Sequence, residues 1–553
     1  MSAPDVTDTG RVDYGPAYET YATDEIPEVS VTDELLLEDG ENEESWLHYR
    51  GGYRGHGYTH CDVLDTESIG DLELEYIYDV DTGGGYEDSP TVVPGDPPVM
   101  YTIGGYDKMA ALNARTGKEL WMFQPRFRHY TDFSMARPYS RGVAVYRDKV
   151  YLNATDTTIY ALDRYTGEEV WSTRLHDPTN GYFQTQKPMV YDGMLVLGHS
   201  GGERGVQGKY TAVDAETGDV EYQRSFITAD KWPEDSEFYG AGTAWMTPVI
   251  EPETDTIYWS TGNPGPDFNG NVRPGPNVMT CSTVATDAHT GELKWFYQIL
   301  PQDWWDRDIA SPPLVATPSD GQRRVFQQGK HGWVYMFDAE NGKVLERSAP
   351  YGYHTDNEFV RPGFGNEEAV ENQAPSLWGG SEWSPPSWSP KTNRFYALGN
   401  FTKNDLVAAH PDYEERAQGS YGYLDGFVGG GLKDDVLPTN EGGEVVAYDP
   451  ETGARDWTHE TPGMMMSGSL VTGGDVLIVG LPTSEIRFID ATNGDLLRRE
   501  READAPVCAA PSSWYDPATE KQYIAVAAGG GGDVARYKYP SRPGHLLVFS
   551  VEA

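Results

Sequence analysis

Residues 161–171 read "ALDRYTGEEVW", and near-copies of this stretch recur along the chain. They are "ALNARTGKELW" at 111–121, "AVDAETGDVEY" at 212–222, "ATDAHTGELKW" at 285–295, "MFDAENGKVLE" at 336–346, "AYDPETGARDW" at 447–457 and "FIDATNGDLLR" at 488–498. The shared form is an apolar pair, Asp, two variable residues, Thr or Asn, Gly, three variable residues and usually an aromatic. Only the copy at 111–121 lacks the Asp, having Asn113. Each copy predicts a β-hairpin. One strand ends near the Asp, whose side chain bonds onto the turn, and the Gly accepts the positive φ that the turn needs. The second strand ends in an aromatic placed to pack against the next unit.

Further strands precede most copies, as in "GVAVYRDKVYLNATDTTIYALD" at 142–163 and "GGDVLIVGLPTSEIRFID" at 473–490. Four strands per unit, repeating every 40–50 residues or so, are the signature of radial blades. The expected fold is all-β, an eight-bladed β-propeller of four-stranded antiparallel blades. Seven hairpins are visible. The eighth blade is expected to join the C-terminal "HLLVFSVEA" (545–553) with "LELEYIYDV" (72–80), hiding the last sheet edge. The longer spacings at 222–285 and 346–447 hold insertions, and such loops on one propeller face carry function.

The 553 residues include 87 acidic and 42 basic ones, a net charge of -45, yet 38% are hydrophobic and 12% aromatic. A disordered acidic chain would lack those aromatics. The composition reads as a folded core in an acidic coat, which repels duplex DNA and anionic membranes. The coat fits a salty medium, where the Debye length shrinks to about 3 Å at 1 M. Cys61, Cys281 and Cys508 form no CxxC, CxxCH or zinc spacing, which excludes covalent haem and iron–sulfur clusters. No apolar run approaches the ~18 residues of a membrane span. Residues 1–45 are acidic and poor in core residues, so they are expected to form an extended or disordered leader before a propeller at 46–553. They show no apolar signal core and no twin-arginine pair, so the chain is either cytoplasmic or lacks a signal already removed.

Polar residues at strand ends, outside the hairpins, come from successive units, as a central propeller site requires. They are Glu87, Arg141, Thr185, the turn Ser200, Gly201, Gly202 and Glu203, then Trp245, Asn263, Asp306, Asp308 and Lys330. Glu203, Asn263 and Asp306 supply two carboxylates and a carboxamide, hard oxygen ligands suited to Ca²⁺ or a larger trivalent cation. Trp245 offers a flat platform for an aromatic ligand. Singly, the acids read as surface charge, Asn263 as a turn residue and Trp245 as core. The constellation outweighs those readings.

Three motifs carry a resemblance. "SGGERGVQG" (200–208) looks like SGAE-x-GVRG, "STGNPGP" (260–266) like GTGNPAP, and "YQILPQDWWDRD" (297–308) like YQ-x-x-P-x-D-x-WD. These patterns belong to the quinoprotein alcohol dehydrogenases, the PQQ-dependent methanol/ethanol dehydrogenase family with an eight-bladed propeller, which the chain resembles from about Trp46 onward. The resemblance implies an alcohol dehydrogenase passing hydride to PQQ. Glu203, Asn263 and Asp306 would hold a Ca²⁺ or lanthanide ion that polarises the quinone carbonyl. Asp306 would also take the substrate hydroxyl proton. Trp245 would lie under the quinone, and Glu87, Arg141, Thr185, Ser200 and Lys330, with the Gly201–Gly202 turn, would bind it. Asp308, two residues after Asp306, resembles the second aspartate of the lanthanide-dependent branch. On a strand both would face one ion.

The resemblance further implies an external electron acceptor, a cytochrome or small copper protein, since no haem motif exists. It implies a place outside the cytoplasm, at the cell surface or secreted, and leaves a homodimer open. Three departures border the expected quinone pocket. Met135-Ala136 replace the family's adjacent cysteines, so Met135 or Phe133 would build the upper wall. Glu382 in "GGSEW" replaces the amide of GGxNW, and "AAGGGGDVAR" (527–536) stands for Trp-Gly-Gly. Two other functions compete. One is a non-catalytic scaffold, like the outer-membrane assembly lipoproteins that share this repeat. The other is a surface propeller binding polysaccharide or peptide. Neither explains Glu203, Asn263 and Asp306 together.

Overall fold

The computed structural model describes residues 18–20, 25–80, 85–125, 140–408, 430–530 and 544–553. They form eight sheets, each built mainly of four antiparallel strands, in a β-propeller. In the second blade the strands Ala144–Tyr146, Lys149–Asn153, Thr158–Asp163 and Glu169–Arg174 pair in simple succession. The first strand is short and buried throughout. The last alternates exposed and half-buried residues, the pattern of a strand with one face in water. The eighth blade closes the ring as the sequence requires: Glu73–Asp79 pairs with His545–Glu552, which pairs in turn with Lys521–Ala528.

The repeated motif explains how blades join. Asp163 Oδ1 accepts from the backbone N–H groups of Tyr165 and Thr166, both at 2.9 Å, and closes the turn. Asn113 Oδ1 does the same for Arg115 N–H at 3.0 Å, so the one copy without Asp keeps its turn. Gly167 has φ +76°, and a Cβ there would stand 2.8 Å from the Trp121 ring of the preceding blade. That ring lies on the turn, and its indole N–H donates to Arg164 O at 3.0 Å. The same clasp recurs from Trp171 to Ala215 O, Tyr222 to Ala288 O, Trp295 to Ala339 O and Trp457 to Ala491 O. Where the motif ends in Arg498, the guanidinium donates to Ile69 O of the next blade at 2.9 Å.

Two regions depart from the simple repeat. Within the expected leader, residues 25–45 pack on the propeller. Val31 bridges Arg147, Leu36 is buried on the helix Asp33–Glu38, and buried Asp39 accepts from Ser45, Leu47 and His48. The sixth blade contains a 15-residue strand, Arg394–Ala408. Its first part pairs within the blade. Its end pairs with Gly430–Leu432, an insertion strand that reaches the central cavity.

Candidate active site

A cavity of about 590 Å³ is bordered by Thr185, Ser200, Gly201, Gly202, Glu203, Trp245, Asn263, Asp306, Asp308 and Lys330. Ten predicted residues from separate loops thus meet in one place. Glu87 and Arg141 lie one layer further in. They pair with each other at 2.6 Å, both buried, and the Arg141 guanidinium stands 5.3 Å from the Trp245 ring centroid. Phe133, Met135 and Ala136 fall outside the described residues, as does the end of the 527–536 stretch.

The 200–203 turn is fixed from below. Gly201 has φ +114°, and a Cβ there would strike Gly181 O. Ser200 N–H donates to Phe183 O at 2.9 Å. Buried His199 clamps both ends of the turn: Lys209 N–H approaches its Nε2 at 2.9 Å, beside Gln207 O at 3.1 Å, and its Nδ1 stands 2.9 Å from Ser200 O. Burial holds His199 down at about 4, so the ring is neutral at ordinary pH. The sequence offered no sign of this role beyond a His beside the glycine-rich turn.

Of the three aspartates at 303–308, Asp303 belongs to the backbone. It is buried, accepts from Trp305 and Arg307 N–H groups, and burial pushes it up to about 6. Asp306 and Asp308 turn to the cavity, but not as alternate residues of a strand. No strand spans them, and Asp306 has φ +57°, the left-handed region that Asp tolerates better than most residues. That kink brings both carboxylates to Lys330 Nζ, at 3.1 Å from Asp306 and 2.9 Å from Asp308, with Glu382 at 3.4 Å. The other Asp308 oxygen accepts from the Trp245 indole N–H at 2.9 Å.

Electrostatics follow from this crowding. Burial raises Asp306 well above the usual carboxylate range, Lys330 opposes the rise, and Asp267, Asp308 and Glu382 add to it. Burial would lower Lys330, but the charges of Asp306, Asp308 and Glu382 outweigh it and hold the ammonium well above its ordinary value. Burial lifts Glu382 to about 8. Three lining acids were not foreseen as ligands: Asp267, four positions after Asn263, Asp435, and Glu382, noted only as a departure. Leu377, Leu432 and Leu437 form an apolar part of the wall.

The donor set fits a cation. Glu203, Asp267, Asp306, Asp308, Glu382 and Asp435 border the cavity against the one ammonium of Lys330. Among the described residues, buried Glu382 Oε2 accepts no hydrogen bond. Such hard oxygens suit Ca²⁺ or a trivalent ion. Among the described residues, no three His, Cys, Asp or Glu side chains already close into a ligand shell. Trp245, the hydroxyls of Thr185 and Ser200 and the Lys330 ammonium suit a flat, oxygen-rich anion.

Comparison with known proteins gives the family. Residues 46–361 match the family model described as glucose/ethanol/alcohol dehydrogenase, beta-propeller domain. Residues 412–537 match that of the outer membrane protein assembly factor BamB. The chain is 29% identical to the quinoprotein alcohol dehydrogenase PedH of Pseudomonas putida, over 91% of this chain and 89% of that protein. It is 30% identical to the dehydrogenase subunit of the alcohol dehydrogenase (quinone) of Gluconobacter oxydans, over 88% and 70%. The crystal structure of the quinohemoprotein alcohol dehydrogenase from Comamonas testosteroni superposes with a TM-score of 0.83 at 26% identity, over 94% of this chain and 82% of that one. By model, by relatives spanning most of its length and by fold, the chain belongs to the PQQ-dependent quinoprotein alcohol dehydrogenases.

Proposed function

We propose that the cavity holds PQQ beside a Ca²⁺ or lanthanide ion, and that an alcohol is oxidised there with Asp306 as the base. The observation that carries this reading is the meeting of Asp306, Asp308 and Lys330 within 3.1 Å, in a cavity also bordered by Glu203, Asn263 and Trp245. When bound, PQQ supplies the hydride acceptor, and the cation polarises its carbonyl. Asp306 takes the hydroxyl proton from its place at the cavity wall, beside Asp308 and Lys330. Lys330 and Trp245 hold Asp308, and with it the second carboxylate for the ion. Glu203 and Asn263 would complete the ion's donors, and Trp245 would offer its ring to the quinone.

Electrons leave to a separate acceptor, a cytochrome or small copper protein. We place the enzyme outside the cytoplasm, at the cell surface or secreted. No helix among the described residues is long and apolar enough to cross a membrane. The scaffold alternative is not favoured: the relatives matched over nine-tenths of the chain are dehydrogenases.

The test is reconstitution. The purified chain receives PQQ with Ca²⁺ or with La³⁺, and quinone absorbance and dye-linked oxidation of short alcohols are followed. Turnover with La³⁺ alone supports the reading and gives Asp308 its role. Turnover with Ca²⁺ alone keeps the enzyme and removes Asp308 from the ion's donors. Quinone binding with neither ion would overturn the proposal.

A further inference from the structure

Asp267 follows Asn263 in "GNPGPDF" and belongs to none of the motifs that carry the family resemblance. Its side chain is buried, 4% exposed, and borders the same cavity as Glu203, Asn263 and Asp306. A buried carboxylate is costly unless a cation or hydrogen bonds compensate it. Here the compensation inside the chain is thin. Oδ1 accepts from Asn263 Nδ2 at 2.7 Å. The nearby Arg273 guanidinium is spent on backbone carbonyls of Pro266, Asp267 and Asp303 and on Asn277 Oδ1, not on the Asp267 carboxylate. Lys330 is already shared by Asp306, Asp308 and Glu382.

The bond to Asn263 has a second effect. Asn263 Nδ2 is committed to Asp267 Oδ1 and to Pro264 O at 3.3 Å. The amide nitrogen is thereby fixed, which leaves the carbonyl oxygen Oδ1 as the group for an electropositive ligand. Glu203, Asp267, Asp306 and Asp308 all border the one cavity, so a single occupant can meet them together.

We propose that Asp267 is a further oxygen donor of the cation site, beside Glu203, Asn263, Asp306 and Asp308, and that it also orients the Asn263 amide toward the ion. The inference rests on the cation reading above. It brings the donor set to four carboxylates and one carboxamide. Each added negative charge favours a trivalent ion more than a divalent one, because the attraction scales with the product of charges.

The experiment uses the full chain with PQQ, titrated with CaCl₂ or LaCl₃ and followed by tryptophan fluorescence, which Trp245 reports through its contact with Asp308. Asp267→Asn keeps the shape and an acceptor for Asn263 but removes the charge. It should need about 10- to 100-fold more cation, as loss of a ligand-supporting carboxylate does, with the larger loss for La³⁺ and an unchanged melting midpoint before cation is added. Asp267→Ser serves if the first variant folds poorly, and should show the same order of loss. Asp306→Asn is the control. Wild-type affinity for both ions in Asp267→Asn, alongside loss of affinity in Asp306→Asn, would overturn this inference and leave the proposed function standing. Equal losses for Ca²⁺ and La³⁺ would overturn the charge argument. A wild-type chain that takes up neither ion would overturn both readings.

Discussion

Asp306, the proposed base, sits at a backbone angle few residues accept. Its φ of +57° is what turns its carboxylate, together with that of Asp308, to Lys330. Asp306→Asn keeps shape and backbone preference but removes the base. Turnover of reconstituted enzyme should fall about 100- to 10,000-fold with the melting midpoint retained, and ordinary alcohol oxidation by the variant would refute the assignment. His199 supports a prediction of a different kind. Its ordinary value is 6.5 and burial holds it at about 4. The fold therefore binds fewer protons than the unfolded chain between those values. The stability tied to neutral His199 is fully present above about 6.5 and is lost as pH falls toward 4, by about 1.4 kcal/mol per unit of pH in that window. His199→Asn should flatten the fall of melting temperature over that range, and parallel curves for variant and parent would show that the ring does not titrate this way. At this scale the sequence named the acids but not their arrangement. The 306–308 kink is a left-handed turn, which strand alternation does not predict. Asp267 lacked a motif, and its role rests on contact with Asn263.

The hairpin is the element that was most legible. Asx, Thr or Asn, and Gly are local signals, each with a local cause, and they recur at the same spacing in seven places, five of them closed by an aromatic. What the pattern could not convey is that the aromatic belongs energetically to its neighbour. Trp295 lies against Gly342 of the next hairpin and donates to Ala339 O at 3.0 Å. Trp295→Ala should cost about 3–5 kcal/mol, read from denaturant unfolding, and a loss under 1 kcal/mol would mean that the clasp is ornamental. The sixth blade was least legible. Its strand Arg394–Ala408 outruns the repeat, and Gly430–Leu432 joins it from an insertion with no repeat signature. Long-range pairing decided that blade, so no short window of sequence contained it.

For the whole molecule, the net charge of -45 is a distributed repulsion that folding must overcome. Raising salt from 0.1 M to 1 M shortens the Debye length from about 10 Å to about 3 Å. Melting temperature should therefore rise over that range, to a similar extent in KCl and NaCl if screening is the cause. A midpoint that falls or stays level would mean that the acidic coat has no such role. The number of blades and the join between chain ends were readable in the sequence, because the orphan strands 72–80 and 545–553 each lacked a partner hairpin. The packing of residues 25–45 was not, because few side chains anchor it: Val31, Leu36 and the Asp39–His48 pair.

The ring closure sets a timetable for synthesis. Asp79 and His545, paired at 2.6 Å across the eighth blade, are 466 positions apart. At about 5–20 residues per second, the strand Glu73–Asp79 emerges from the ribosome some tens of seconds before its partner exists. Throughout that interval the growing chain presents an unmated sheet edge at its leading end.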